Sequence, residues 1–197
     1  MPPKLSNDRA LRIVTAARQE FAGSGFDATR MEQIARRAGV NKQLLFYYFH
    51  SKKGLFHAVL NQTAGELESA LARIVGTGDR PLERLKAALE TQFDYLGRHP
   101  ELVAILTQGR RADFRPFAPA INRLVVLLAE GQGLGVVRDD VDPHLTAAQA
   151  LVLMVGYLQM ESVIAASAPP LGADESGLRE RWRRGAVDLV IAGVRAA

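Results

Sequence analysis

The sequence predicts an all-α fold, with an N-terminal helix-turn-helix domain followed by a larger helical domain. Apolar residues recur with a period near 3.6 along almost the whole chain, and no stretch shows the sustained alternation that is typical of strands. Polar N-cap residues, glycines and prolines divide this pattern into helical lengths. With 197 residues, of which 48% are hydrophobic, the chain is long enough to bury a sizeable core.

Three helices are predicted in the first fifty residues. The first begins near Asn7 or Asp8, either of which can act as an N-cap, and ends at the Gly-Ser-Gly-Phe segment. Thr29 is expected to cap a short second helix, which Gly39 stops from the C′ position. Asn41 is expected to cap the third helix. Because only Ala-Gly-Val joins the second and third helices, the sequence predicts the tight turn of a helix-turn-helix.

The third helix carries four consecutive aromatic residues at positions 46–49. Successive residues of an α-helix are about 100° apart, so four in a row cannot all point inward. On a helical wheel Leu45 and Phe49 face the core, whereas Gln43 and Tyr47 point almost the opposite way. We therefore expect part of the aromatic run to anchor the helix and part to meet a partner.

The remaining sequence is predicted to be helical, with turn-rich breaks. Ser51 is expected to cap a fourth helix that runs toward Val75, and the segment Gly-Thr-Gly-Asp-Arg-Pro follows as a linker-like break. We place the domain boundary so that residues 1–53 form the helix-turn-helix domain and residues 54–197 the larger domain. Further helices are predicted from Pro81 to about Arg98, from Pro100 to about Thr107, from about Pro116 to Glu130, from Pro143 to about Ser167 and from about Glu175 to Val194.

Charge is distributed unevenly along the chain. Residues 1–60 contain ten Lys and Arg against four acids, whereas the whole chain has a net charge of +4, so the remainder is slightly acidic. A basic N-terminal segment indicates contact with a polyanion. The sequence contains no cysteine, which excludes disulfides and thiolate sites. We expect a cytoplasmic protein with no membrane partner, because the N-terminus lacks a signal-peptide pattern and Gln149, Gln159 and Glu161 interrupt the most apolar stretch.

The third helix and the starts of its neighbours carry the side chains that DNA recognition requires. An α-helix fits the major groove of double-stranded DNA, and positive charges and helix N-termini beside it bind phosphates. The alternative, a plain core helix, explains Leu45 and Phe49 but not the whole aromatic run. The residues expected to contact DNA are Arg30, Lys42, Gln43, Leu44, Tyr47, Tyr48 and Lys52.

Residues 11 to 60 resemble the DNA-binding domain of the TetR family of bacterial transcriptional regulators. The motifs that carry the resemblance are a Gly-x-x-x-Thr approach, "IARRAGV", the aromatic helix and "SKKGL", in register without a gap. The family commonly has tyrosine at the position of Phe46, so we expect Tyr47 or Tyr48 to supply the missing hydroxyl. The resemblance implies an all-helical homodimer whose larger domain senses a ligand, and "DDVDPHLTAAQALVLMVGYL" is similar to the family's dimerisation region.

The larger domain is expected to provide both a dimer interface and an effector site. The segment from Leu145 to Ile164 is apolar on nearly every side, so it needs burial on two faces. The expected dimer residues are Val152, Val155, Gln159, Leu178, Trp182, Ala186 and Leu189. An apolar or aromatic small-molecule effector is expected among Phe93, Leu96, Phe114, Phe117, Ile121, Met154, Tyr157 and Glu161, although each of these residues is individually more typical of plain core packing.

Other classes of function have weaker support in the sequence. The acids around Asp142 and the nearby His144 lack metal-ligand spacing, and Asp142 followed by Pro143 is better explained as a helix N-cap, so no metal and no cofactor are expected. No catalytic motif is present, so we expect no enzyme activity, with an enzyme that has an unrecognised site as the last choice. The main alternative is an architectural protein that uses the same DNA-binding domain without a ligand.

Overall fold

The computed structural model describes residues 8–75, 80–108, 115–167 and 175–196. One isolated antiparallel bridge joins Val137 to Arg195, and a 3-10 turn spans Arg115–Phe117. The described residues otherwise fold into nine α-helices: α1 (Asp8–Ala28), α2 (Met31–Ala38), α3 (Lys42–Phe49), α4 (Lys52–Val75), α5 (Pro81–Arg98), α6 (Pro100–Gln108), α7 (Ala118–Gly133), α8 (Pro143–Ser167) and α9 (Glu175–Val194). The predicted all-α class is confirmed.

Three of the four helix starts that were predicted at proline agree with the structure, and the bounds of α1 and α7 differ from the prediction. Helices α5, α6 and α8 begin at a proline, which lacks the N–H that a first helical residue leaves unpaired. The helix predicted from Pro116 begins at Ala118, because residues 115–117 form the tighter 3-10 turn. The regular part of α1 is interrupted inside the Gly-Ser-Gly-Phe segment that was predicted to end it, because Gly25 is non-helical (φ 74°, ψ 168°), and a short helical stretch continues beyond this kink to Ala28.

The chain divides into two compact units, and the division falls inside α4. Unit 1 is Met1–Gly65 with His99–Phe117, and unit 2 is Glu66–Arg98 with Ala118–Ala197. Unit 1 therefore contains α1 to α3, the first part of α4, and α6. Unit 2 contains the end of α4 together with α5, α7, α8 and α9. The functional boundary predicted after residue 53 stays a prediction.

The core of unit 1 forms where α1 packs against α2 and α6. Ile13, Val14 and Ala17 of α1 are buried along one stripe of the helix. Phe21 continues that stripe and makes an edge-to-face contact with Phe56 of α4, with 4.9 Å between ring centroids. Helix α2 packs against α1 in this core, and α3 packs in turn against α2.

Thr29 has a different role from the predicted one. Arg30, not Thr29, is the N-cap of α2, and its backbone N–H donates to Gln33 Oε1 at 2.9 Å. The Thr29 side chain is buried, and its hydroxyl lies 2.6 Å from the carbonyl oxygen of Gly25 and 3.0 Å from that of Glu20. The prediction of a Thr29 cap was wrong, because the hydroxyl donates to carbonyls within α1 instead.

The core of unit 2 is built by α5 and α7 to α9. Leu85, Leu89 and Phe93 of α5 are buried, as are Leu124 and Leu127 of α7. Gln92 is a polar residue in this core, and its Nε2 donates to the carbonyl oxygen of Ala120 at 3.3 Å. That bond satisfies one of the groups that burial would otherwise leave unpaired.

The end of α9 is fastened to the turn between α7 and α8. The backbone N–H of Arg138 donates to the carbonyl of Val194 at 2.9 Å, and that of Ala196 donates to Val136 at 3.1 Å. The turn also approaches α7 closely, since a Cβ on Gly131 would lie 2.5 Å from Cγ2 of Val137. Glycine at position 131 therefore makes room for the packing of Val137.

Candidate DNA-binding surface

The turn between α2 and α3 is fixed by a left-handed glycine and by an arginine of α1. Gly39 has φ 65° and ψ 39°, a conformation that costs an L side chain about 1 kcal/mol or more. Its backbone N–H donates to the carbonyl of Arg36 at 3.2 Å. Arg12 Nη2 donates to the carbonyl of Ala38 at 2.7 Å and so holds the end of α2 against α1. The predicted helix-turn-helix junction is confirmed.

Helix α3 is capped and anchored as its sequence indicates. The Asn41 side-chain oxygen accepts a hydrogen bond from the backbone N–H of Leu44 at 2.8 Å, which confirms the predicted N-cap. Leu45 is 0% exposed and Phe49 is buried beside it. These two side chains fix the rotation of α3 about its own axis, because their burial would be lost if the helix turned.

The outer face of α3 presents aromatic and amide groups to solvent. Tyr47 is 75% exposed, Gln43 is exposed, and Phe46 is also exposed. Tyr48 is half-buried and meets Tyr47 edge-on, with 5.3 Å between ring centroids. The predicted outward orientation of Gln43 and Tyr47 is confirmed, and Leu44 lies half-buried at the flank. Their contact with DNA stays a prediction.

The basic side chains at this surface differ in their exposure and in the groups that they contact. Arg30 is exposed at the start of α2. Lys42 forms an ion pair with Glu32, and its ammonium lies 5.7 Å from the centre of the Phe46 ring. Lys52 is half-buried, and its ammonium group contacts the end of α1. The three residues predicted to contact phosphates therefore differ in the free protein: Arg30 is exposed, Lys42 is ion-paired and Lys52 contacts α1.

Lys52 joins the start of α4 to the end of α1. Its Nζ donates to the carbonyl of Asp27 at 2.9 Å and lies 4.8 Å from the centre of the Phe26 ring. A cation over an aromatic face is stabilised by the ring quadrupole. The carbonyl and the ring favour a structural role for Lys52 in addition to the phosphate contact that its sequence position predicts.

The connection between α3 and α4 contains a residue with unusual backbone angles. His50 has φ 62° and ψ −32°, the one positive φ of a non-glycine residue in the described ranges. Its N–H donates to the carbonyl of Phe46 at 2.9 Å. Ser51 Oγ then accepts from the N–H of Gly54 at 2.9 Å, which confirms the predicted cap of α4.

The predicted dimer residues lie on α8 and α9 in unit 2. Val152 is 71% exposed and Leu189 is 66% exposed, whereas Leu178 and Ala186 are already buried within the single chain. Gln159 is exposed and Val155 is half-buried. An open groove of about 360 Å³ is lined by Leu153, Leu178, Arg181, Trp182, Gly185, Ala186 and Leu189. The exposed apolar residues and the groove form one candidate interface.

Helix α8 is long and apolar enough, by length and composition, to cross a membrane, and 17% of its most apolar stretch is buried inside the described chain. The core helix of a soluble protein passes the same test of length and composition. Its exposed side includes Leu145, Val152 and Val163. Because large exposed apolar patches mark interaction sites, these side chains make α8 a candidate interaction face.

The predicted effector residues are distributed over both units. In unit 2, Phe93, Leu96, Met154 and Tyr157 are buried, and Ile121 and Glu161 are half-buried. Phe117 is buried and belongs to unit 1. Phe114 lies outside the described residues. Their role as a binding site stays a prediction.

Three aromatic rings of unit 2 form a stacked column. The ring centroids of Phe93 and Tyr157 are 5.9 Å apart, and those of Tyr157 and Trp182 are 4.6 Å apart. The Tyr157 hydroxyl donates to Glu161 Oε1 at 3.2 Å, and Arg179 Nε donates to the same oxygen at 2.7 Å. Burial, followed by the charge of Glu161, raises the pKa of Tyr157 to about 12.

The pKa of Glu161 is shifted in the opposite direction. Hydrogen bonding to Arg179 lowers the pKa of the Glu161 carboxyl, so the carboxylate is ionised at neutral pH.

Asp142 is the N-cap of α8, as its sequence predicts, because its Oδ1 accepts from the backbone N–H groups of His144 at 2.8 Å and Leu145 at 3.1 Å. Among the described residues, no group of three or more His, Asp or Glu side chains is arranged to hold a metal ion.

Comparison with known proteins identifies the family. Residues 13–59 match the model of the bacterial regulatory proteins, tetR family. The chain is 33% identical over 139 residues to NicS of Pseudomonas putida, an HTH-type transcriptional repressor. This alignment covers 66% of the chain and 66% of NicS, about two thirds of each. The chain belongs to the tetR family.

A second relative of this TetR-family protein matches along almost its whole length. The chain is 28% identical over 190 residues to SCO4008 of Streptomyces coelicolor, an HTH-type transcriptional repressor, with 91% of the chain and 93% of SCO4008 covered. These relatives are transcriptional regulators and not enzymes, as the sequence predicted.

The helical fold of most of the chain also occurs in a solved structure of a regulator. FadR from Bacillus subtilis, in complex with stearoyl-CoA, superposes with a TM-score of 0.73 at 16% identity, covering 94% of this chain and 99% of FadR. At that identity the likeness concerns the fold alone. It agrees with an N-terminal helix-turn-helix followed by a helical domain.

Proposed function

We propose that this TetR-family protein is a cytoplasmic, homodimeric transcriptional repressor that binds a near-palindromic operator and releases it when a small molecule binds the larger helical domain. The observation that carries the proposal is the orientation of α3. Buried Leu45 and Phe49 hold the helix so that Gln43 and Tyr47 face outward from a basic surface. NicS and SCO4008, both transcriptional repressors, support the direction of regulation.

In the proposed complex, α3 enters the major groove of the operator. Gln43, Leu44 and Tyr47 contact base edges. Tyr48 supports Tyr47 through the edge-on contact of their rings. Arg30, Lys42 and Lys52 lie at the N-termini of three successive helices and approach phosphates. Tyr47 or Tyr48 supplies the hydroxyl that Phe46 lacks.

Dimerisation through α8 and α9 would give the operator its symmetry. Val152, Val155, Gln159 and Leu189 offer area for a second copy, and Trp182 lines the adjoining groove. A two-fold dimer presents its recognition helices to successive major grooves, about 34 to 36 Å apart. The operator is then a near-palindrome with that half-site spacing.

The proposed effector is an apolar or aromatic small molecule. The buried rings of Phe93 and Tyr157 support this chemistry, and Glu161 and Gln92 offer polar contacts. The structure of FadR contains stearoyl-CoA, so in that protein this fold binds an acyl ligand. The effector must bind more tightly to a conformer whose recognition helices are wrongly spaced, and a tilt of α4 is the proposed link.

Selection of bound sites from random double-stranded DNA tests the proposal. Enrichment of a palindrome is expected, and addition of the effector should weaken binding to it. Linkage requires that operator DNA weaken effector binding by the same factor. Salt-sensitive binding without any enriched sequence would instead support the architectural alternative.

A further inference from the structure

The helix-turn-helix segment has a single acidic side chain. From Thr29 to Lys53 the sequence contains Glu32 as its one acid, against six basic residues: Arg30, Arg36, Arg37, Lys42, Lys52 and Lys53. A surface that binds phosphate gains from positive charge, so a carboxylate within it requires an explanation. Its place in the first turn of α2 lets Glu32 interact favourably with the helix macrodipole, but the side chain that bonds to the N-cap backbone belongs to Gln33.

Glu32 is bonded to the first residue of the proposed recognition helix. It lies in the first turn of α2, and its Oε1 accepts a hydrogen bond from Lys42 Nζ across the helix-turn-helix junction. The side chains remain accessible, with 61% of Glu32 and 49% of Lys42 exposed. This hydrogen bond lowers the pKa of the Glu32 carboxyl, so the pair is ionic at neutral pH.

We propose that Glu32 competes with DNA phosphates for the ammonium group of Lys42 and thereby limits the affinity of the protein for DNA. This inference rests on the proposed function. A lysine that is already paired must exchange a carboxylate for a phosphate on binding, and the released carboxylate then needs a counterion of its own. Because the freed carboxylate takes up a cation while the DNA releases one, the net release of ions to solution, and with it the salt dependence, is smaller than for an unpaired lysine.

The test compares the full-length protein with its Glu32→Gln variant on duplex DNA, using a site enriched from random sequences and a scrambled duplex. We expect the variant to bind both duplexes more tightly, by roughly two- to fivefold at low salt, since exposed ion pairs are weak. The slope of log affinity against log salt should become steeper by up to about 0.9. Unchanged affinity and slope would overturn the proposal.

Glu83→Gln is the matched control for the loss of one negative charge. Glu83 also lies in the first turn of its helix, α5, and pairs with exposed Arg80 at 2.9 Å, but it belongs to unit 2. Little change in DNA binding is expected for this variant. An equal gain in both variants would show that net charge alone is responsible and would contradict the competition.

A double-mutant cycle tests whether Glu32 acts through Lys42. We expect Lys42→Gln to weaken binding more in the Glu32→Gln background than in the wild type, and the gain from Glu32→Gln to vanish when Lys42 is absent. A gain that persists without Lys42 would refute the proposal. A wild-type protein that shows no sequence preference would instead refute the proposed function, so the two failures are distinguishable.

Discussion

A Cβ atom on Gly54 would lie 2.2 Å from the carbonyl oxygen of Phe49. Phe49 is the last residue of α3, and Gly54 lies in the first turn of α4. The two helices therefore meet where a side chain has no room. This close approach makes the position of the proposed recognition helix depend on a glycine of the neighbouring helix α4.

Replacement of Gly54 by alanine should destabilise the protein. The added methyl group must displace backbone, and such overpacking costs about 1 to 3 kcal/mol. We expect a correspondingly lower free energy of unfolding in urea, together with weaker operator binding because α3 is displaced. Circular dichroism and a DNA titration measure the two effects.

Gly65→Ala provides the control within the same helix. A Cβ at Gly65 meets nothing within 4 Å, so this substitution should stabilise α4 by about 0.5 to 1 kcal/mol through the lower helix propensity of glycine. If the two alanine variants shifted the free energy of unfolding equally, the close approach to Phe49 would not be the cause.

Replacement of His50 by glycine should stabilise the protein. Its positive φ of 62° places an L side chain in a region that costs about 1 to 3 kcal/mol, and glycine avoids the clash of the Cβ. We expect His50→Gly to raise the urea midpoint. His50→Ala removes the imidazole but keeps the Cβ, so a similar increase in that variant would contradict the explanation.

The raised pKa of Tyr157 predicts that the protein loses stability at alkaline pH. Its pKa is about 12 in the folded chain, above the ordinary value of 10.0. The unfolded state therefore loses its phenolic proton first, and the stabilising contribution, fully present below pH 10.0, is lost as the pH rises toward about 12. Ultraviolet absorbance of the phenolate and urea unfolding across this range measure it. The alkaline slope should be shallower in Tyr157→Phe.

The outer face of α3 and the start of α4 should differ in their effect on DNA binding. Tyr47→Ala should relax base preference, at a cost of about 1 to 3 kcal/mol on the preferred site. Lys52→Ala should weaken binding to all sequences and reduce the salt slope. Affinities for the selected and scrambled duplexes at several salt concentrations separate these outcomes. Unchanged affinity and preference in Tyr47→Ala would exclude it from the interface.

The exposed face of α8 should control assembly. Val152→Asp places a charge on a side chain that is 71% exposed in the single chain, so it should leave the protomer folded and dissociate the proposed dimer. Sedimentation velocity measures the change. Val126→Asp on α7, at a valine that is 49% exposed, is the control and should remain dimeric. A dimeric Val152→Asp protein would place the interface elsewhere.

Local signals in the sequence were sufficient to predict most of the helices. Asn41, Ser51 and Asp142 each cap the helix that they were expected to cap, because an N-cap bond joins residues two or three positions apart. The 3.6-residue period likewise placed Leu45 inside and Tyr47 outside. These features depend on chemistry within one helical turn, which a single sequence displays.

Features that depend on distant residues were not predicted. The hydroxyl of Thr29 reaches the carbonyl of Glu20, nine residues earlier, and so its capping role was wrongly assigned. The pairing of Glu32 with Lys42 spans ten residues and forms only after the turn at Gly39 brings the helices together. Periodicity identifies the buried face of a helix but not which neighbour covers it.

The stacked contact of Trp182 on Tyr157 also gives the protein a built-in optical probe. Trp182 is the sole tryptophan of the chain, and it lines the groove on α8 and α9. Its emission therefore reports on one place in the molecule, without a label. Because the proposed dimer covers this groove, its dissociation on dilution should change the polarity around the indole, and the wavelength shift with protein concentration then measures the association constant.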